Sequence, residues 1–521
     1  MKLDLLSLVI IFPVIGAIPI FFMSPKNKKV LFDYTLLVTL IEFLLSLFLL
    51  KGFKFGLYGF QFEHVYKWIP SIGASFHVGI DGMSLILILL TTFLTALGIL
   101  SSYNYITHKA KEYVIVMLLM ETGMIGVFAS LDLLLFYLFW ELMLIPMYFL
   151  IGIWGHERRV YAAFKFVIYT MAGSALLITG ILVLYFYNHS VTGVYTFDLL
   201  KLYRLNVPYD LAKKLFLAFA IAFAIKVPIF PFHTWLPDAH VEAPTAGSVL
   251  LAGVLLKMGI YGFLRFAFPL FPRAAIHYAP LFMALGIIGI LYGAFMSWVQ
   301  KDLKKLVAYS SVAHLGFIVL GIFTFNLYGT QGAVIQMVNH GLSTGALFFI
   351  VGMLYERRHT RLIEEFGGLA KVMPVFSVIF GIVMLSSIGL PGLNGFIGEF
   401  LVMLGAFKAT KFAAYFAVIG IIFAAVYMLT MFQKVVFLKV KEKNLGLPDI
   451  SLREFFVLAP ILLFIFWIGI YPKPYLKMTE PTSSAVILQI KNTQNAERRM
   501  KKLTEPVSED VTLKITGRKA R

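Results

Sequence analysis

Long apolar stretches succeed one another along the chain, and the polar segments between them are short. A bilayer-spanning helix needs roughly 20 mainly apolar residues. On that measure the pattern predicts about fourteen helices, at 3–23, 30–50, 79–101, 112–131, 132–152, 162–187, 211–231, 244–268, 276–298, 303–325, 329–355, 373–407, 411–439 and 452–471. The fold class expected is an all-α polytopic membrane protein, with no room for a large soluble domain. An even number of spans puts both termini on one side.

The charged loops indicate which side. Those after odd-numbered helices hold Lys26, Lys28 and Lys29, then Arg158 and Arg159, then Lys301, Lys304 and Lys305, then Arg357, Arg358 and Arg361, and finally Lys439, Lys441 and Lys443. Basic residues concentrate in cytoplasmic loops, so the alternate loops, including 52–78 and 188–209, and both termini are expected outside. The basic segment from Lys473 onward, with Arg498, Arg499, Lys501, Lys502 and Arg518 to Arg521, then becomes an external tail.

Composition narrows the class. A chain with 60% hydrophobic and 14% charged residues and a mean hydropathy of +0.86 is not a water-soluble globule. The net charge of +18 sits in the short loops, so it reads as topology and not as a nucleic-acid surface. Cysteine is absent, which excludes thiolate-held iron–sulfur clusters, c-type haem attachment, disulfides and thiol catalysis. Any electron chemistry therefore belongs to another chain. The stretch from Leu3 to Met23 lacks a basic leader and a small-residue cleavage site, so it is expected to be a retained helix.

Two spans are interrupted near their middles. Predicted helix seven contains Lys226-Val227-Pro228, and predicted helix twelve contains Gly389-Leu390-Pro391-Gly392. A central proline removes a backbone hydrogen bond and kinks or opens a helix, and paired interruptions point to inverted repeats around a midplane site. The chain then divides into 1–111, three N-terminal helices with an external loop; 112–268, a first five-helix repeat; 276–439, a second; and 440–521, helix fourteen with the basic tail.

A charge at the bilayer centre costs roughly 2.5 to 3.5 kcal/mol on insertion scales, so each one needs a reason. The main ones are Glu141 in predicted helix five, Lys226 just before Pro228, Lys257 in predicted helix eight, and Glu399 after the Pro391 break. Burial in low dielectric brings amines and carboxylic acids toward titration near neutral pH, so such groups can gain and lose a proton in turn. Glu141 beside Lys226 would hold that lysine protonated, and withdrawing it would release the proton toward Lys257. One such residue alone fits a static ion pair equally well; four together, two beside proline breaks, favour a conduit.

Between Lys257 and Glu399 the chain offers Ser310, Ser311 and His314, then Gln336, Asn339, His340, Ser343 and Thr344. Histidines titrate near neutrality and relay protons, and hydroxyls hold the waters that complete a wire, so His314 and His340 are the better relay candidates. Glu121 is a further buried acid, with a structural role equally open, and Asp132, at a helix boundary, is expected to be an end cap or an interface group. His233 and His240 lack further ligands at usable spacing, so no metal site is expected. Phosphate-binding glycine loops and nucleophile elbows are missing too.

At these residues the chain resembles the antiporter-like proton-pumping subunits of respiratory complex I and their relatives in Mrp-type sodium/proton antiporters. The resemblance rests on Val78 to Leu85, Asp132 to Glu141, the highly specific string Lys226 to Pro244, Lys257 to Arg265, and Gly389 to Phe400, and it spans most of 78–400. It implies two inverted five-helix repeats, with Glu141 as charge partner of Lys226, Lys257 as central proton carrier and Glu399 as the terminal one. The L and N kinds usually carry lysine at the helix-twelve position and the M kind glutamate, as here. The chain also stops soon after helix fourteen, without the long lateral helix of the L kind.

The resemblance further implies a bacterial cytoplasmic membrane, L-like and N-like neighbours, and no cofactor on this chain, with FMN, iron–sulfur clusters and quinone on partner subunits. The leading expectation is a subunit of a redox-driven proton pump. An Mrp-type antiporter subunit and a passive membrane scaffold are the alternatives, and glutamate at 399 favours the first.

Overall fold

The computed structural model describes residues 4–504; the expectations for Leu3 and for Arg518 to Arg521 lie outside that range. The helices are α1 (Leu5–Ala17), α2 (Lys28–Gly52), α3 (Gly82–Tyr105), α4 (Ala110–Ala129), α5 (Leu133–Leu142), α6 (Leu144–Trp154), α7 (Arg159–Thr192), α8 (Tyr209–Lys226) and α9 (Trp235–Glu242). They continue as α10 (Thr245–Leu270), α11 (Pro272–Trp298), α12 (Leu303–Phe323), α13 (Leu327–Arg358), α14 (Pro374–Ser387), α15 (Asn394–Ala409), α16 (Lys411–Phe437), α17 (Leu452–Ile470) and α18 (Lys473–Thr504).

Among the described residues, twelve helical segments are long and apolar enough to cross a membrane. The two predicted spans missing from that twelve are the two with proline breaks. Predicted helix seven stops at Lys226 and resumes only at Trp235, because Pro228 has no N–H to continue the ladder. Predicted helix twelve is split into α14 and α15 by a turn in which Gly389 and Gly392 take φ of 76° and 92°. Neither fragment alone reaches the ~30 Å of a hydrocarbon core. Predicted helix five is also divided, at Met143, where Pro146 leaves the Leu142 carbonyl without its usual donor.

Two expectations are corrected at one end of the bundle. The loop 52–78 is in part a β-hairpin, β1 (Gln61–Ile69) and β2 (Ala74–Ile80), paired antiparallel with Tyr66 opposite Phe76. Asp132 caps α5 as expected, accepting from the Leu134 and Leu135 amides at 2.9 and 3.1 Å, and its other oxygen accepts from the Ser75 amide at 3.0 Å, pinning the hairpin. The segment after Lys473 is not a tail but a 32-residue helix, α18, about 48 Å long at 1.5 Å per residue.

Helix α18 is too polar to span, yet Met478, Thr479, Ser483, Ile487 and Ile490 fall on one buried stripe. It packs across the ends of α3, α13 and α11, where Gln489 donates to the Pro269 carbonyl at 2.8 Å and Arg273 pairs with Glu497 at 2.8 Å. Arg498 and Arg499 point to solvent. Hairpin and α18 mark the hairpin end; the lysine- and arginine-rich loops mark the opposite, basic end. Between them α3, α10, α12 and α13 are almost wholly enclosed, while α2, α7, α11, α16 and α17 turn apolar faces outward.

Candidate proton-conducting row

Lys226 occupies the last turn of α8, where unpaired carbonyls favour a cation. It is 1% exposed, and its amine has no hydrogen-bond partner. Glu141, the expected charge partner, makes neither an ion pair nor a hydrogen bond with it. Instead the amine lies 4.8 Å from the ring centre of Trp140, whose indole is held by donation to Ser174 at 3.1 Å. The indole face offers the cation a π partner, and Glu141 acts on Lys226 by its charge from beyond contact distance. The division after Leu142 leaves Glu141 half-buried, with Oε1 unpartnered.

Lys257 is fully buried in α10 between two π-helical turns, Leu251–Leu255 and Phe263–Ala267. Such wide turns shift the carbonyl pattern and recur at functional sites. Here the Lys257 amine donates to the Ala252 carbonyl and meets His340 Nδ1 at 2.6 Å. The His340 ring centre is 5.7 Å from that of His314, and His314 Nδ1 lies 2.8 Å from Glu399 Oε1. Gln336 donates to the same oxygen at 3.2 Å.

The remaining candidates divide. Ser343 bonds Ser386 at 2.6 Å and Asn394 Oδ1 at 3.3 Å, tying α13 to both halves of the broken helix. Thr344, His314, His340 and Ser343 line a narrow cavity with space for about one water. Ser310 and Ser311 both donate to the Val307 carbonyl, at 2.8 and 3.2 Å, so their hydroxyl protons serve their own helix.

Glu121 is fully buried with both oxygens unpartnered. The charged group that acts on it is Glu42 of α2, equally buried and unpartnered. Sequence reasoning missed Glu42, although an acid inside an apolar span is the same signal that marked Glu141. It also set aside His240, which is fully buried with neither ring nitrogen bonded and lies within the fields of Lys304 and Lys257. Lys304 was read as a loop charge; it is 4% exposed and donates to the Ala243 carbonyl at 2.5 Å. Above these two, at the basic end, opens a polar cavity of about 820 Å³ lined by His156, Arg158, Glu242 and Arg361, among others. Burial, aided by the charges of Lys304 and Arg361, pushes His156 down to about 3. Among the described residues, no three His, Asp or Glu side chains gather as a metal site.

Residues 130–424 match the family described as NADH:quinone oxidoreductase/Mrp antiporter, TM, and residues 8–127 match NADH-ubiquinone oxidoreductase chain 4, amino terminus. The chain is 42% identical over 484 residues to NADH-quinone oxidoreductase subunit M of Rickettsia conorii, covering 92% of this chain and 97% of that one. A chain of respiratory complex I from Thermus thermophilus with bound NADH superposes with a TM-score of 0.85 at 32% identity, covering 94% of this chain and 100% of that one. A chain of the Mrp complex from Dietzia shares the fold, with a TM-score of 0.79 at 18% identity and coverage of 94% and 100%.

Proposed function

The chain belongs to the NADH:quinone oxidoreductase/Mrp antiporter family of transmembrane subunits, in its subunit M or chain 4 branch, and from that premise we propose that protons cross it along Lys226, Lys257, His340, His314 and Glu399. Its function is that of a proton-translocating membrane subunit of complex I, an NADH:quinone oxidoreductase. The observation that carries the route is the buried series from the Lys257 amine to His340 at 2.6 Å, across 5.7 Å between ring centres to His314, and on to Glu399 at 2.8 Å.

Protons enter from the basic end, which faces the cytoplasm, through the polar cavity and past Lys304 and His240 to Lys257. His156 at the cavity mouth stays neutral at ordinary pH and presents a lone pair to arriving water. Glu141, beyond contact distance of the amine, holds the charge on Lys226. Moving Glu141 at the α5–α6 division weakens that hold and passes a proton toward Lys257. Residues 112–268 and 276–439 form the two inverted repeats, each with one broken helix that lets its halves shift.

The chain does no redox chemistry. FMN, iron–sulfur clusters and quinone reside on partner subunits, and L-like and N-like subunits flank it in a bacterial cytoplasmic membrane with both termini outside. Replacing Lys257 or Glu399 by alanine in the complex reconstituted into vesicles tests the route. The proton gradient formed per NADH oxidised is expected to fall severalfold; an unchanged ratio in a fully assembled complex would leave the chain a scaffold.

A further inference from the structure

At the hairpin end a cleft of about 470 Å³ opens between α2, α3, α13, α17 and α18, and every residue lining it is apolar or aromatic. Along α2 it runs from Phe43 to Leu50, about 10 Å of helix rise, against about 15 Å for one leaflet of hydrocarbon. Its rim differs in chemistry. Lys51 and Lys54 stand between the lining residues Leu50 and Phe55, and Lys473 and Lys477 alternate with Pro474, Tyr475 and Met478. All four lysines are exposed, and among the described residues none has an ion pair. Glu480, the acid nearest in sequence on α18, is exposed as well and pairs with none of them.

Trp467 and Tyr475 complete the rim, with ring centres 5.6 Å apart, as aromatic side chains do at headgroup depth. An apolar slot about two-thirds of a leaflet deep, topped by unpaired cations, matches one amphiphile. We propose that an anionic phospholipid of the hairpin-side leaflet binds here, one acyl chain in the cleft and its phosphate among Lys51, Lys54, Lys473 and Lys477. The charge at the rim argues for lipid over a transmembrane helix of another subunit, which would bring no phosphate to so many lysines.

The test is lipid analysis of the purified, assembled complex by native mass spectrometry, with spin-labelled phosphatidylglycerol and phosphatidylcholine as probes after reconstitution. Wild type is expected to retain one more anionic phospholipid than either the cleft-filling variant Leu47→Trp or the rim variant Lys473→Gln/Lys477→Gln. Preference for phosphatidylglycerol over phosphatidylcholine should fall about fivefold for each lysine neutralised. The rim variant changes exposed residues only, so its assembly is expected to be normal. Equal lipid retention in all three, equal preference for the two probes, or a neighbouring subunit's helix found in the cleft of the complex would overturn the proposal.

Discussion

His314 Nδ1 lies 2.8 Å from Glu399 Oε1, with both side chains about 5% exposed or less, so α12 and α15 meet through one shared proton position. Ser387 stands 3.4 Å from the other ring nitrogen of His314. His314→Ala removes the imidazole that stands between His340 and Glu399 and, among the described residues, leaves Gln336 as that carboxyl's hydrogen-bond partner. The variant is expected to pump about a hundredfold more slowly and to lose about 1–3 kcal/mol from the unmet buried carboxyl. Proton uptake by vesicles and thermal unfolding of the complex measure the two effects.

Gly389 tests the broken helix. Its φ of +76° and a position where an added Cβ would sit 3.0 Å from Glu399 Oε2 leave little room for a side chain. Gly389→Ala is expected to cost about 1–2 kcal/mol of backbone strain and to displace Glu399 from His314. Pumping should fall with little change in NADH oxidation, whereas an unaltered pumping ratio would place Glu399 off the route.

Arg265 and Asp81 form an enclosed ion pair of 2.5 Å, with the Arg265 Nε also donating to Tyr261 at 3.1 Å. It joins the end of α10 to the start of α3, and so supports the helix that carries Lys257. Asp81→Asn leaves a buried guanidinium uncompensated, and a loss of about 3–5 kcal/mol is expected. Replacing both partners by apolar residues should restore much of it, since no charge is then stranded; melting curves of the purified complex compare the three.

His77 makes the hairpin sensitive to pH. Burial lowers its pKa, but Glu63 at 3.0 Å and Asp198 at 3.5 Å outweigh that and hold it above the ordinary value. Because the folded value is raised, the stabilisation is complete below the unfolded value of about 6.5 and is lost as pH rises through the raised one. Protection of the 61–80 amides from exchange, relative to their intrinsic rates, should therefore fall on the alkaline side of that window, and His77→Gln should remove the dependence.

Hydropathy is a local property, and what depends on it was legible in the sequence: the spans, the basic loops, the prolines that divide helices, and the four charges too costly to bury without purpose. Side-chain chemistry within those spans also marked His314 and His340. What lay beyond it was decided by contacts between distant segments. Lys257 and His340 are far apart in the chain, and only the packing of α10 on α13, with its π-turns, brings them to 2.6 Å. The Trp140 indole beside Lys226, the nearness of Glu42 to Glu121, and the burial of His240 and Lys304 likewise depend on which faces meet. The stripe on α18 is too weakly apolar for a hydropathy window and acquires meaning only from the helix ends it covers. Sequence alone determined that this chain crosses a membrane carrying titratable groups; tertiary structure determined which of them touch, because contact between distant segments depends on packing and not on position along the chain.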